Sequence, residues 1–223
     1  IGPPGTGKTT IARILSNIYH SLELLPENNF VETDRSGLVA GYVGQTAIKT
    51  DNIITQAKNG ILFIDEAYTL KRSNSDNDYG QEAIDILLKR MEDFRGNLII
   101  IVAGYETEMN YFINSNPGLK SRFNRYFYFK DYDSTELTEI YRRIAEKSGF
   151  ILKDEALKTL HSLFEKLCSA KDDKFGNARL ARNIFEKTFE KHANRTAYIA
   201  PITREILTTI EAADIPVEEF STN

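Results

Sequence analysis

Runs of apolar residues alternate with amphipathic stretches through the first 130 positions of the chain, and the alternation predicts the elements. FVETD (30–34), ILFID (61–65), NLIIIVAG (97–104) and RYFYF (125–129) read as strands, the middle two as continuous apolar runs of a buried parallel sheet. Between them lie helical patterns. TTIARILSNIYHSL (9–22) is one. In 46–58, Ala47, Thr50, Ile54 and Ala57 share a face, and Gly60 follows as a stop signal. In 81–93, Ala83, Ile84, Leu87, Leu88 and Met91 do the same. Strand–helix alternation of this kind implies an α/β fold, a parallel sheet with helices on both faces.

After KDYDST the pattern changes. Residues 135–148, 153–170, 177–194 and 203–214 all read as helices with no strand between them, and Ser134 is placed to cap the first. The division predicted is an α/β domain over 1–132 and a small all-helical domain over 133–223. SNSDNDYG (73–80) reads as a polar loop. The glycine-flanked stretch GLVAGYVGQT (37–46) is also a loop, and it carries an aromatic residue, Tyr42, beside Val43.

Composition narrows the classes. Of 223 residues, 41% are hydrophobic and 27% charged, as in a globular protein, and the net charge of −4 gives no electrostatic ground for non-specific binding to nucleic acid or anionic lipid. No apolar run is long enough to span a bilayer. The single cysteine, Cys168, permits no intrachain disulfide and suits a reducing cytoplasm; its setting, FEKLCSA, is an apolar helix face, which predicts an inert thiol. His20, His161 and His192 lack metal-ligand spacing, and His161 reads as structural. The aromatic run YFYF (126–129) reads as sheet core.

Two motifs carry chemistry. Residues 2–9, GPPGTGKT, fit the phosphate-binding pattern G-x-x-x-x-G-K-[ST]. Its glycines let backbone N–H groups turn inward around phosphate oxygens, and the helix that follows directs its positive end at the same anion. Gly2, Pro3, Pro4, Gly5, Thr6, Gly7, Lys8, Thr9 and Thr10 are the candidate ATP-binding residues. Lys8 would reach the β- and γ-phosphates, and Thr9 would hold Mg²⁺. The second motif is ILFIDE (61–66), an apolar strand ending in two acids, where an open α/β sheet places ligands. Asp65 would help hold Mg²⁺ and Glu66 would act as general base on the attacking water. The pair of motifs implies nucleotide hydrolysis. A strand normally precedes such a phosphate loop; only Ile1 does here, so the first strand of the sheet is expected to lie upstream of a chain that reads as a piece of a longer protein.

With GPPGTGKTT, AGYVGQTA, ILFIDEAYTL, IVAGYETEM, NPGLKSRF and FGNARLARNIFE in this order and spacing, the chain resembles the AAA+ ATPases, and among them the CbxX/CfqX family, which includes red-type rubisco activases and the stage V sporulation protein K group. The resemblance implies a homo-oligomeric ring, a hexamer, with ATP at subunit interfaces. It implies that Arg122 in SRFNR is an arginine finger reaching the neighbouring subunit's γ-phosphate, with Arg125 a second arginine of that element. Arg179 in GNARLAR resembles sensor 2, a role that Arg182, one turn on, could share or replace. Sensor 1 departs from the common Thr-Asn pattern: Ala103-Gly104-Tyr105-Glu106 stands there, leaving Tyr105 or Glu106. Tyr42-Val43-Gly44 matches the first pore loop of rings that handle polypeptides, Tyr42 and Val43 being the substrate-gripping residues; the alternative is that Tyr42 packs onto its own domain. The 73–80 segment would be a second loop at the same channel. The function implied is ATP-driven remodelling of a protein partner. A nucleic-acid motor and a nucleotide-stabilised scaffold are the other readings.

Overall fold

The computed structural model describes residues 1–42, 44–71, 79–172 and 175–220. They form two compact units. The first comprises Ile1–Gly2 and Gly7–Phe129; the second comprises Lys130–Asn223 together with Pro3–Thr6 of the phosphate loop.

In the first unit, β1 (Phe30–Thr33), β2 (Ile61–Ile64) and β3 (Ile99–Val102) form a parallel sheet in that order. Leu62 lies opposite Val31 on one side and Ile100 on the other. β2 is central, and all four of its side chains are fully buried. Its alternation explains the layers, because successive strand residues point to opposite faces. Leu62 and Ile64 enter a core with Ile54 of α3 (Gln45–Gln56), Ala83, Ile84 and Leu87 of α4 (Gly80–Asp93), Met109 and Phe112 of α5 (Glu106–Asn114) and Leu119 of α6 (Pro117–Arg122). Phe63 enters the opposite core with Ala12 of α1 (Lys8–Ser21), backed by Phe30. Each Leu, Ile, Phe or Met among them contributes on the order of 1.5–3 kcal/mol. A short helix, α2 (Arg35–Leu38), follows β1, capped by Asp34, and a 3₁₀ turn, Ala67–Leu70, follows β2.

The expected strand 125–129 forms no regular strand. Among the described residues its backbone bonds run to Ile1: the Ile1 amino group donates to the Phe127 carbonyl at 2.8 Å, and the Phe129 N–H donates to the Ile1 carbonyl at 2.9 Å. Nor are its aromatics core. Tyr126, Phe127 and Tyr128 are exposed.

In the second unit, α7 (Ser134–Lys147), α8 (Asp154–Ser169) and α9 (Ala178–Thr196) pack around Tyr141, Leu160, Phe164 and Ile184. The cap of α7 is Asp133, not Ser134. Asp133 accepts from the Glu136 N–H while Glu136 accepts from the Asp133 N–H, a reciprocal box that a serine one position later cannot make. The expected helix 203–214 is broken. α10 spans Arg204–Thr208, then Thr209–Ile210 is extended as β5 and pairs in parallel with β4 (Ile151–Leu152); a 3₁₀ turn, Ala212–Asp214, and α11 (Val217–Phe220) follow. The unit is therefore helical with a two-stranded ribbon. The β-branched run Thr208-Thr209-Ile210 favours the extended form once a partner strand is present.

His192 is buried in α9, with Nε2 3.0 Å from the Leu207 carbonyl and Nδ1 3.1 Å from an Arg195 N–H. Arg195 also holds the buried Asp214 in a two-pronged pair at 2.7 and 2.9 Å. His161 is half-buried and sits 3.8 Å from Glu165 on its own helix. Cys168 is half-buried, and burial raises its thiol pKa, which fits the inert reading. No helix among the described residues is long and apolar enough to cross a membrane.

Candidate functional site: a phosphate loop and an acidic strand end

The phosphate loop turns on three left-handed glycines, Gly2 (φ 151°), Gly5 (φ 71°) and Gly7 (φ 89°). Gly7 is the N-cap of α1, so the loop opens into the positive end of a 14-residue helix. Lys8 folds back over the loop, its Nζ 2.8 Å from the Gly2 carbonyl oxygen. Among the described residues, the N–H groups of Gly5, Thr6 and Gly7 donate to no other group. Three adjacent free donors with a lysine and a helix N-terminus are the donor set a polyphosphate requires. Thr9 is half-buried and Thr10 exposed at the start of α1.

The first half of the loop is held within the second unit. The Thr6 hydroxyl donates to the Pro3 carbonyl at 2.8 Å. The carbonyls of Pro4, Gly5 and Thr6 accept, respectively, from Asn177 Nδ2 (3.1 Å), the Ala178 N–H (3.1 Å) and the Tyr132 hydroxyl (3.0 Å).

Asp65 and Glu66 end the buried strand β2. Glu66 has φ 46° and ψ 43°, a left-handed backbone uncommon for a non-glycine residue. The Asp65 carboxylate accepts from the Glu66 N–H at 3.0 Å, and the Glu66 carbonyl accepts from the Thr69 hydroxyl at 2.7 Å. Such strain persists only where the surroundings fix it, and it concentrates at functional positions. Both acids line a cleft of about 460 Å³ with Asp34, Ser36 and Thr69. In that cleft hydrogen bonds from Ser36, and then from the Ser36 and Gly37 N–H groups, hold the Asp34 carboxyl below the usual carboxylate range.

The end of β3 is drawn to both motifs. The Gly2 N–H donates to the Gly104 carbonyl at 3.1 Å, and the Ala67 N–H donates to the Ala103 carbonyl at 3.1 Å. Lys8 Nζ lies 5.9 Å from the centre of the Tyr105 ring. Tyr68 stands between these groups, its ring 6.1 Å from that of Tyr105. Burial, and then the charge of Glu66, pushes the Tyr68 hydroxyl up to about 12, so it stays a neutral hydrogen-bonding group. The structure thus brings together Gly2, Lys8, Asp65, Glu66 and Tyr105. Asp34 and Tyr68 carry no pattern of their own in the sequence, beyond lying next to strand ends.

Arg122 ends α6, a helix started by Asn116 and Pro117. Its guanidinium is 3.7 Å from Glu92, and its buried Nε has no partner among the described residues. Arg125 is exposed, as are Arg179 and Arg182 at the start of α9. Tyr42 is 74% exposed, so packing onto its own domain does not account for it. Gly41 and Gly44 beside it have open space where a Cβ would stand, and Gly44 (φ 76°) caps α3. Val43 and residues 73–78 of the polar loop lie outside the described residues.

Residues 1–131 match the model of the ATPase family associated with various cellular activities (AAA), and residues 133–223 match an AAA lid domain. The chain belongs to the AAA family of ATPases. Among its relatives, stage V sporulation protein K of Bacillus subtilis is 40% identical over 219 residues, covering 98% of this chain and 68% of that protein. Protein CfxQ homolog of Pyropia yezoensis is 41% identical over 216 residues, covering 96% and 71%. These place the chain in the CbxX/CfqX branch of the AAA+ proteins. ESX-3 secretion system protein EccA3 of Mycobacterium tuberculosis is 41% identical over 230 residues, but the chain spans only 36% of that protein's length. The AAA domain of FIGL-1 with ADP superposes with a TM-score of 0.64 at 16% identity, covering 99% of this chain and 68% of that one. The Thermotoga maritima RuvB branch migration motor does so at 0.61 and 22%, covering 98% and 58%. At such identities these neighbours share the fold alone.

Proposed function

We propose that the chain is the ATP-hydrolysing part of a ring-forming motor that remodels a polypeptide partner. The observation that carries the reading is the joining of the phosphate loop and the acidic strand end through β3, with Glu66 held in a strained left-handed conformation beside Asp65. Gly2, Pro3, Pro4, Gly5, Thr6, Gly7, Lys8, Thr9 and Thr10 surround the phosphates of ATP, with the free N–H groups of Gly5, Thr6 and Gly7 and the ammonium of Lys8 as donors. Glu66 takes the proton of the attacking water, and Tyr105 or Glu106 helps orient that water. Among the described residues no cluster of three or more His, Cys, Asp or Glu side chains forms a metal cage. Mg²⁺ does not need one, since it keeps several waters and shares phosphate oxygens, and Thr9 and Asp65 would hold it. When bound, it neutralises charge on the phosphates.

Arg122 completes the site of a neighbouring copy. Its side chain is one-third exposed (33%) and only loosely paired with Glu92 at 3.7 Å, which leaves the outer guanidinium nitrogens available to an anion from outside the chain. Arg125 supports it. Arg179, or Arg182 a turn later, reports nucleotide state to the lid, within a division at 1–132 and 133–223. Tyr42, exposed between unconfined glycines, and Val43 contact the polypeptide in the channel of a hexamer. The acidic balance favours a protein over a nucleic-acid partner.

The test is ATP turnover of the full-length protein against protein concentration, with wild type doped with Arg122→Ala. A steep concentration dependence, and inhibition of wild type beyond simple dilution, is expected. A constant rate per subunit, indifferent to the mutant, would refute shared sites and with them the ring.

A further inference from the structure

The three N–H groups that face no partner in the phosphate loop, those of Gly5, Thr6 and Gly7, follow three carbonyls that all have one. Each N–H belongs to the same peptide plane as the preceding carbonyl. In a trans peptide the C=O and N–H point in opposite directions. Fixing the Pro4 carbonyl therefore aims the Gly5 N–H the other way; the Gly5 carbonyl aims Thr6, and the Thr6 carbonyl aims Gly7.

All three holding groups come from the second unit. Asn177 Nδ2 takes Pro4, the first N–H of α9 at Ala178 takes Gly5, and the Tyr132 hydroxyl takes Thr6. Asn177 is itself fully buried and locked. Its Oδ1 accepts from the Tyr132 N–H at 2.9 Å, and its Nδ2 also donates to Asp131 at 2.9 Å and to the Phe175 carbonyl at 3.2 Å. Its backbone stands at φ 50°, ψ −124°, which glycine would adopt freely and asparagine does not. A side chain with no local task would not be kept there at that cost.

We propose that Tyr132 and Asn177 are positioning residues for nucleotide binding, forming with the Ala178 amide a three-point carbonyl clamp that preorganises the Gly5, Thr6 and Gly7 N–H groups toward one anion, the polyphosphate of a nucleoside di- or triphosphate. The clamp rests on the nucleotide-binding reading above. It removes the cost of ordering the loop when the ligand arrives, so it acts on affinity rather than on the chemical step.

The test uses the full-length protein and two variants. Tyr132→Phe deletes one hydroxyl, and Asn177→Gly removes the amide while relaxing the backbone. ADP with Mg²⁺ is titrated calorimetrically, and melting is recorded without nucleotide. One lost hydrogen bond should raise the Kd for ADP about five-fold in Tyr132→Phe, and roughly ten-fold or more in Asn177→Gly. KM for ATP should rise in step with little change in kcat. A merely structural role would lower the melting temperature while leaving the Kd of the folded protein unchanged, and that result overturns the clamp. Should Asn177→Gly fail to fold, Tyr132→Phe decides alone, and an unaltered Kd refutes the proposal. A wild type that binds no ADP at all would overturn the nucleotide-binding reading and the clamp with it.

Discussion

Gly5→Ala puts the phosphate loop under the sharpest test. A Cβ at Gly5 would stand 2.1 Å from the Gly176 carbonyl oxygen and 3.2 Å from the Arg179 nitrogen. Both are backbone atoms, so no side chain can swing aside, and the loop or the start of α9 has to retreat by about 0.9 Å to reach the closest approach real Cβ atoms show. The φ of 71° adds a second cost, on the order of 1 kcal/mol for an alanine. Overpacking against rigid backbone adds about 1–3 kcal/mol. The total, roughly 2–4 kcal/mol, corresponds to a fall in melting temperature of about 5–15 °C for a chain of this size. If the loop yields instead, its N–H groups move by nearly 1 Å, and misplacement of that size costs on the order of 100-fold in what the site does. The assay is differential scanning calorimetry with and without ADP, beside Gly41→Ala, whose added Cβ meets nothing within 4 Å. Gly41→Ala should melt and bind as wild type does. A Gly5→Ala protein that melts with wild type and binds ADP within two-fold would refute the loop geometry.

Three further outcomes are expected. Glu66→Gln should keep ADP and ATP binding but slow turnover by about 10²-fold or more, the usual worth of a general base; a variant that turns ATP over at the wild-type rate removes Glu66 from that role. Tyr42→Ala should retain ATP hydrolysis while unfolding of a tagged model polypeptide falls away, whereas undiminished unfolding would send Tyr42 back to a surface residue. In the second unit, burial pushes the Asp214 carboxyl up, but the hydrogen bonds from Arg195 and the Glu211 N–H outweigh it and hold its pKa below the ordinary value of 3.8. A depressed carboxylate pKa contributes stability that is present above the unfolded-state value and lost as pH falls through the folded one. Urea unfolding of Asp214→Asn should therefore show a loss of about 2–3 kcal/mol at pH 7, from the missing carboxylate charge beside Arg195, that shrinks below about pH 4; a loss independent of pH would contradict the assignment.

Local pattern made most of the fold legible. ILFI is apolar at every position because β2 is covered on both faces and flanked by strands on both edges; IIIV of its neighbour β3 reads the same way, though it is only partly buried. The long helices announced themselves by period, α4 through Ala83, Ile84 and Leu87. What failed depended on partners far away in sequence. RYFYF has the composition of a strand, yet a strand is made by its ladder, and among the described residues its backbone bonds run to Ile1. Residues 203–214 have helical composition, yet Ile151–Leu152 captures Thr209–Ile210 as a ribbon from 58 positions upstream. A cap was expected at Ser134, and one position earlier Asp133 had the better chemistry because Glu136 could answer it.

The site divides along the same line. Lys8, Asp65, Glu66 and Arg122 were nameable because the role proposed for each runs through its own side chain, and a charged atom at a fixed spacing leaves a mark in the sequence. Tyr132 and Asn177 act on the backbone of residues 126 and 173 positions away, and any donor of the right reach would serve. The signal left by Asn177 is conformational: a non-glycine residue with a positive φ just ahead of a helix, fully buried. Glu66 shares the positive φ, though in the left-handed helical region and with an exposed side chain. Both residues pay in backbone strain for a position that a relaxed chain would not give them, which fits the roles proposed for them, one aiming the cradle's donors and the other a carboxylate. A phosphate loop is thus only half specified by its glycines. They permit the turn, while the direction of its N–H groups depends on what holds the carbonyls behind them.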